Sequence, residues 1–136
     1  LPLEEPIKKY FKEKGISTLY PPQQKAIRTG ILEGKNIVLA IPTASGKTLI
    51  AELCMLKAII EQGGKALYLC PLRALASEKY DEFSSYSELG VNVGITTGDY
   101  DTVEEKYGAY DLLICTNERA DSLLRHRAKW MADIAI

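Results

Sequence analysis

One segment constrains this chain more than any other. Asn36 to Ile41 (NIVLAI) is a continuous apolar run, followed by Pro42-Thr43-Ala44-Ser45-Gly46-Lys47-Thr48. Leu49, Leu53, Leu56 and Ile60 then recur at helical spacing up to Glu61. The run predicts a strand buried on both faces, and the spacing after it predicts a helix. Small residues between strand and helix let the loop curl so that backbone N–H groups converge on phosphate oxygens. The helix start adds its positive end. Lys47 supplies an ammonium for the β and γ phosphates, and Thr48 a hydroxyl for a Mg²⁺ shell. Pro42 to Thr48 is therefore a candidate site for a nucleoside triphosphate with Mg²⁺, with Lys47 and Thr48 closest to the chemistry. The loop departs from the general pattern G-x-x-x-x-G-K-[ST], since Ile41 stands where the first glycine would be.

The rest of the chain repeats the strand–helix alternation. Pro6 to Lys14 reads as a short amphipathic helix closed by Gly15, and Pro21-Pro22 opens a second helix. Lys65 to Cys70, Val91 to Thr96 and Tyr110 to Cys115 read as strands, and Asp133 begins another. Arg73 to about Tyr86 and Asn117 to about Lys129 read as helices, the latter with Ala120, Leu123 and Leu124 inward. Such alternation predicts an α/β fold, a mostly parallel sheet with right-handed crossovers and helices on both faces. With 136 residues, 46% of them hydrophobic, one domain with a real core is expected. The apolar runs are far shorter than the roughly 20 residues that cross a bilayer, so no membrane partner is expected. Cys54, Cys70 and Cys115 lack metal-ligand or CxxC spacing and read as reduced, buried thiols of a cytoplasmic protein. Charge is nearly balanced, with 17 Lys+Arg against 18 Asp+Glu, so nucleic-acid binding must come from a local patch or from backbone amides.

Several segments then point to one family. Thr43-Ala44-Ser45-Gly46-Lys47-Thr48 resembles motif I of superfamily-two helicases, and Leu19-Tyr20-Pro21-Pro22-Gln23 resembles their Q motif. Pro71-Leu72-Arg73-Ala74-Leu75-Ala76 is similar to motif Ia, and Thr116 to Arg125 (TNERADSLLR) to motif Ib and its helix. Thr97-Gly98-Asp99-Tyr100 resembles the segment between motifs Ia and Ib. In this order the segments resemble the Ski-two-like branch, most closely the archaeal Hjm-type DNA repair helicases. The resemblance implies a P-loop NTPase domain of RecA-like fold: the first motor domain in part, with Q-motif helices over 1–35 and strand–helix alternation over 36–136. It also implies ATP and Mg²⁺ as cofactors. Gln23 is expected at the adenine edge, where its amide offers one donor and one acceptor. Pro71, Leu72, Arg73, Gly98, Thr116 and Asn117 are expected on the phosphates of single-stranded nucleic acid, with Asn117 a plausible cap for the helix it opens. Arg119, Arg125, His126, Arg127 and Lys129 form a basic cluster on the last helix, which reads first as a solvated face. Trp130 reads as a packing residue, and Asp99 and Asp101 as part of a polar turn.

Hydrolysis needs an Asp for Mg²⁺ and a Glu for water. The family carries these as Asp-Glu-x-His after the strand that begins here at Asp133. Leu1 in first place and the apolar run at Ile134–Ile136 lead to the expectation of a piece of a longer protein, truncated before this Walker B motif. The remaining helicase chain, with its second motor domain, would then be a partner, and the isolated piece would turn over little ATP. The expected function is that of an ATP-dependent DNA helicase acting on single-stranded and branched DNA. Three alternatives remain open at this point: an RNA-directed helicase, a P-loop small-molecule kinase, and a non-catalytic nucleic-acid-binding module.

Overall fold

The computed structural model describes residues 3–42, 46–97, 105–125 and 129–136. They fall into two compact units, Leu1–Lys57 and Ala58–Ile136.

The first unit is helical. Helix α1 (Glu5–Glu13) buries Ile7, Tyr10 and Phe11, the apolar face expected from the sequence. The Tyr10 and Phe11 rings meet edge to face at 5.1 Å. Helix α2 (Pro21–Arg28) starts on its prolines, where a missing N–H costs nothing, and buries Gln23 and Ala26. Helix α3 (Lys47–Leu56) buries Leu49, Leu53 and Leu56, again as expected. It is followed by a π-turn over Lys57–Glu61.

Residues 36–41 correct the sequence reading, because they form no strand. Val38 is 95% exposed, and the run alternates between half-buried and exposed residues instead of being buried on both faces. A doubly buried strand needs a ladder on each side. Among the described residues the ladders join other segments, and 36–41 has none.

The second unit holds a parallel three-stranded sheet in the order β1-β3-β2, made of β1 (Ala66–Cys70), β2 (Val93–Thr96) and β3 (Leu112–Thr116). Register runs from Ala66↔Leu112 to Cys70↔Thr116 on one side of β3, and from Val93↔Leu112 to Thr96↔Cys115 on the other. Every residue of β3 is buried, as a central strand covered on both faces must be. The expected strand at Asp133 is present as a single parallel bridge, Lys65↔Ile134, with Ala135 N–H donating to Lys65 C=O at 2.7 Å. β1 crosses to β2 through helix α4 (Arg73–Phe83), extended by a 3₁₀ stretch over Ser84–Leu89; a 3₁₀ stretch over Glu105–Ala109 precedes β3, and helix α5 (Asn117–Arg125) follows it.

Lys129, expected near the end of helix α5, lies instead in a 3₁₀ turn over Lys129–Asp133. Leu124, expected inward, is 59% exposed. Trp130 packs with Leu113 and Leu123 in the core, and Phe83 stacks on Tyr86 at 5.3 Å. No helix among the described residues is long and apolar enough to cross a membrane.

Gly94 sits in β2 where any Cβ would collide with the Tyr110 ring. Gly94→Ala therefore lowers stability by about 1–3 kcal/mol through overpacking, read as a lower denaturation midpoint at unchanged slope.

The cysteines are free and buried, as expected. Burial pushes the Cys54 thiol up to about 11. Burial, with a smaller contribution from Cys70, pushes Cys115 up to about 12. The folded form holds these protons while the unfolded chain releases them near pH 9.0. Stability contributed by the neutral thiols is complete below pH 9.0 and is lost as pH rises toward 12. Alkylation at pH 8 is expected to modify Cys54 and Cys115 only after unfolding, as counted by mass spectrometry.

Candidate nucleotide and nucleic-acid sites

In the first unit, the start of α3 is built around Gly46. Its φ of +79° is left-handed, a conformation that favours glycine. The Gly46 carbonyl accepts a 3.0 Å hydrogen bond from Gln23 Nε2. Gln23 Oε1 accepts the Tyr20 N–H at 2.8 Å. Gln24 Nε2 adds a 2.9 Å bond to the Leu19 carbonyl, which fixes the turn into α2. A Cβ on Gly46 would collide with Gln23 Nε2. The glycine is thus required twice, by its backbone angle and by the amide against it.

Lys47 is the first residue of α3 and is exposed, Thr48 is half-buried beside it, and Pro42 is exposed. Thr43, Ala44 and Ser45 lie outside the described residues. The 10-residue helix has no side-chain cap at its N-terminus. Its first amides and the Lys47 ammonium are the donor set that a triphosphate needs, and the Thr48 hydroxyl suits a Mg²⁺ shell. Gln23 is only 3% exposed. Each end of its amide holds one internal bond, so one N–H and one lone pair are not used by these two bonds.

In the second unit, the Cys70↔Thr116 register sets the carboxyl ends of β1 and β3 side by side. Pro71, Leu72 and Arg73 leave the first, and Thr116 and Asn117 leave the second. Leu72, Arg73 and Asn117 are exposed. Leu72 precedes α4 in extended backbone, and α4 has no side-chain cap. Its first N–H groups therefore open toward the carboxyl edge of the sheet, where ligands bind in open α/β folds. Gly98, Asp99 and Asp101 lie outside the described residues.

Two expectations for the last helix are corrected. Thr116, not Asn117, caps α5: its Oγ1 accepts the Arg119 N–H at 3.4 Å. Arg119 is not on a solvated basic face but is fully buried. Its Nε donates to Thr96 Oγ1 at 3.0 Å, and its Cζ lies 5.6 Å from the Tyr107 ring centre. Arg125 bonds Asp121 at 3.0 Å, and His126 and Arg127 lie outside the described residues. The sequence signal that marks Arg119 as inward is its position three residues after Thr116 and next to Ala120, on the α5 face that also carries Leu123.

A triphosphate-type helix start together with a parallel sheet whose open carboxyl edge carries Arg73 and Thr116 defines a P-loop nucleotide-dependent motor domain. Residues 20–135 match the DEAD/DEAH box helicase family, and the chain belongs to that family. Over all 136 residues it is 55% identical to the ATP-dependent DNA helicase Hel308 of Thermococcus kodakarensis, covering 12% of that protein. It is 52% identical to the Hel308 of Pyrococcus horikoshii, covering 19% of it. Among solved structures, the DUF1998 helicase MrfA bound to DNA and AMPPNP matches 96% of the chain with a TM-score of 0.75 at 33% identity, the match covering 19% of MrfA. A second crystal structure of the DUF1998 helicase MrfA matches 98% of the chain with a TM-score of 0.77 at 31% identity, the match covering 22% of that chain. The chain spans 12–19% of the length of the two Hel308 relatives. The fold is thus that of a RecA-like helicase domain, and the resemblance to archaeal DNA helicases is borne out.

Gln23→Ala leaves a Gly46 carbonyl and a Tyr20 amide without their partner, and is expected to cost about 1–3 kcal/mol. Gln23→Glu keeps an acceptor for Tyr20 but loses the donor to Gly46. It sets a buried carboxylate against that carbonyl and is expected to lower stability at least as much as Gln23→Ala, measured by denaturant titration, with nucleotide affinity read by calorimetry.

Proposed function

We propose that this chain is the N-terminal ATP-binding portion of an ATP-dependent DNA helicase that moves along single-stranded DNA and unwinds forked or branched DNA. The observation that carries the reading is the α3 start. A left-handed glycine is locked by Gln23, an uncapped helix follows, and Lys47 and Thr48 occupy its first two positions. Gln23, Pro42, Thr43, Ala44, Ser45, Gly46, Lys47 and Thr48 form the ATP site in this reading. Lys47 offsets phosphate charge, and the Thr48 hydroxyl joins the shell of a Mg²⁺ ion, which neutralises charge on the β and γ oxygens when bound. Gln23 reads the base with the donor and acceptor its internal bonds leave over.

The second part of the reading is the track. Pro71, Leu72, Arg73, Gly98, Thr116 and Asn117 hold the phosphates of one strand, through helix-start amides, one guanidinium and one hydroxyl. Such contacts place the backbone without reading bases, which suits a motor that must pass any sequence. The Hel308 relatives are ATP-dependent DNA helicases, and the similar MrfA was crystallised with DNA and AMPPNP, which supports DNA and ATP as the two ligands. The Asp-Glu-x-His motif is not in the 136-residue sequence, so the hydrolytic pair is expected in the remainder of the helicase chain. A cytoplasmic location follows from the same reading.

The test uses the full-length protein that carries this segment. Single-stranded DNA is expected to stimulate its ATPase and a forked duplex to be unwound. Lys47→Ala is expected to reduce both by about a hundredfold or more. Arg73→Ala is expected to weaken single-strand binding and flatten its log–log salt dependence by about 0.7. ATP turnover indifferent to DNA would point to a small-molecule kinase. Stimulation by RNA alone would point to an RNA-directed enzyme, and strand binding insensitive to Lys47→Ala, without turnover, to a non-catalytic module.

A further inference from the structure

We propose that Arg119 is a positioning residue for the single-strand track, holding the carboxyl ends of β2 and β3 in fixed relation without touching the nucleic acid itself. This rests on the reading of that sheet edge as a phosphate track. Arg119 is fully enclosed and is the largest completely buried side chain among the described residues. Its Nε–H donates to Thr96 Oγ1, the last residue of β2, at 3.0 Å. The Thr96 hydroxyl continues to Tyr107 Oη at 3.2 Å, and the guanidinium lies over the Tyr107 ring. The Arg119 amide meets Thr116 Oγ1, the last residue of β3. One residue of α5 therefore joins two neighbouring strand ends and the connector that returns to β3. Thr97 follows one of these strand ends and Asn117 the other, and Asn117 is one of the proposed contacts.

A cation taken fully out of water is costly, and buried ionic groups are often replaceable by apolar residues of like volume without loss of stability. What a guanidinium adds here is direction. A planar donor fixes where the Thr96 hydroxyl sits, and so where the chain leaves β2, in a way that a methyl group does not.

Because Arg119 does not reach solvent, it releases no counterions when a strand binds. That separates it from a contact residue. In the full-length protein, Arg119→Met and Thr96→Val are each expected to weaken binding of a short oligothymidylate about tenfold. The slope of log affinity against log salt is expected to stay that of the parent. The double variant is expected to be no weaker than the weaker single, since both remove one interaction. Nucleotide binding and the melting transition serve as controls for folding, and Thr96→Val decides alone where Arg119→Met does not fold. A slope that falls by about 0.7 in Arg119→Met would make Arg119 a direct phosphate contact and overturn the proposal. Unchanged affinity in folded variants would reduce it to a packing residue. If Arg119 variants are silent while Arg73→Ala loses affinity and slope, only the positioning role fails. If Arg73→Ala is also silent, or the parent does not bind the oligonucleotide, the track itself is refuted.

Discussion

The second unit depends on the burial of β3 between two parallel partners. A strand with no face in water must satisfy every backbone N–H and C=O through its neighbours, and β3 does so with β1 on one side and β2 on the other. Parallel pairing obliges each strand to return through a crossover, so all three strands end at the same edge. That places Pro71–Arg73 beside Thr116–Asn117, although they lie far apart in sequence. Proximity of the proposed phosphate contacts is a consequence of strand direction and owes nothing to local motif spacing.

The first unit is organised around a smaller constraint. Gly46 must adopt a left-handed angle to turn the chain into α3, and its carbonyl is claimed by a glutamine twenty-three residues earlier. A buried amide with both ends bonded is rigid, because breaking either bond strands a polar group away from water. Gln23 therefore gives the helix start a defined shape before any nucleotide arrives. In the function proposed above, the same side chain also meets the base, so the proposed recognition and the shape of the helix start share one residue.

Arg119 illustrates how a charged side chain is read wrongly from its neighbours in sequence. It stands among Arg125, His126, Arg127 and Lys129, and the group reads as one basic face. Helical geometry separates them. Arg119 lies on the stripe that carries Ala120 and Leu123 inward, while Arg125 closes an exposed pair with Asp121. Among the described residues, the two arginines of that cluster are one internal tether and one half of a solvated ion pair.

The sequence by itself determined the alternation of elements and the identity of the helix start. Periodicity and punctuation by Gly and Pro are local properties, so α1, α2, α3 and the three strands fall close to where local pattern puts them, and the helicase motifs name the family. It did not determine which apolar run becomes a strand, since 36–41 carries the same signal as 112–116 and only a ladder partner separates them. Nor did it determine that Thr116 caps α5 in place of Asn117, that Gln23 is bonded inside the fold, or that Arg119 is buried. Each of these depends on a contact with an atom from another segment or on the angle at which the chain leaves a strand. Such geometry is set by packing, which composition and spacing do not record.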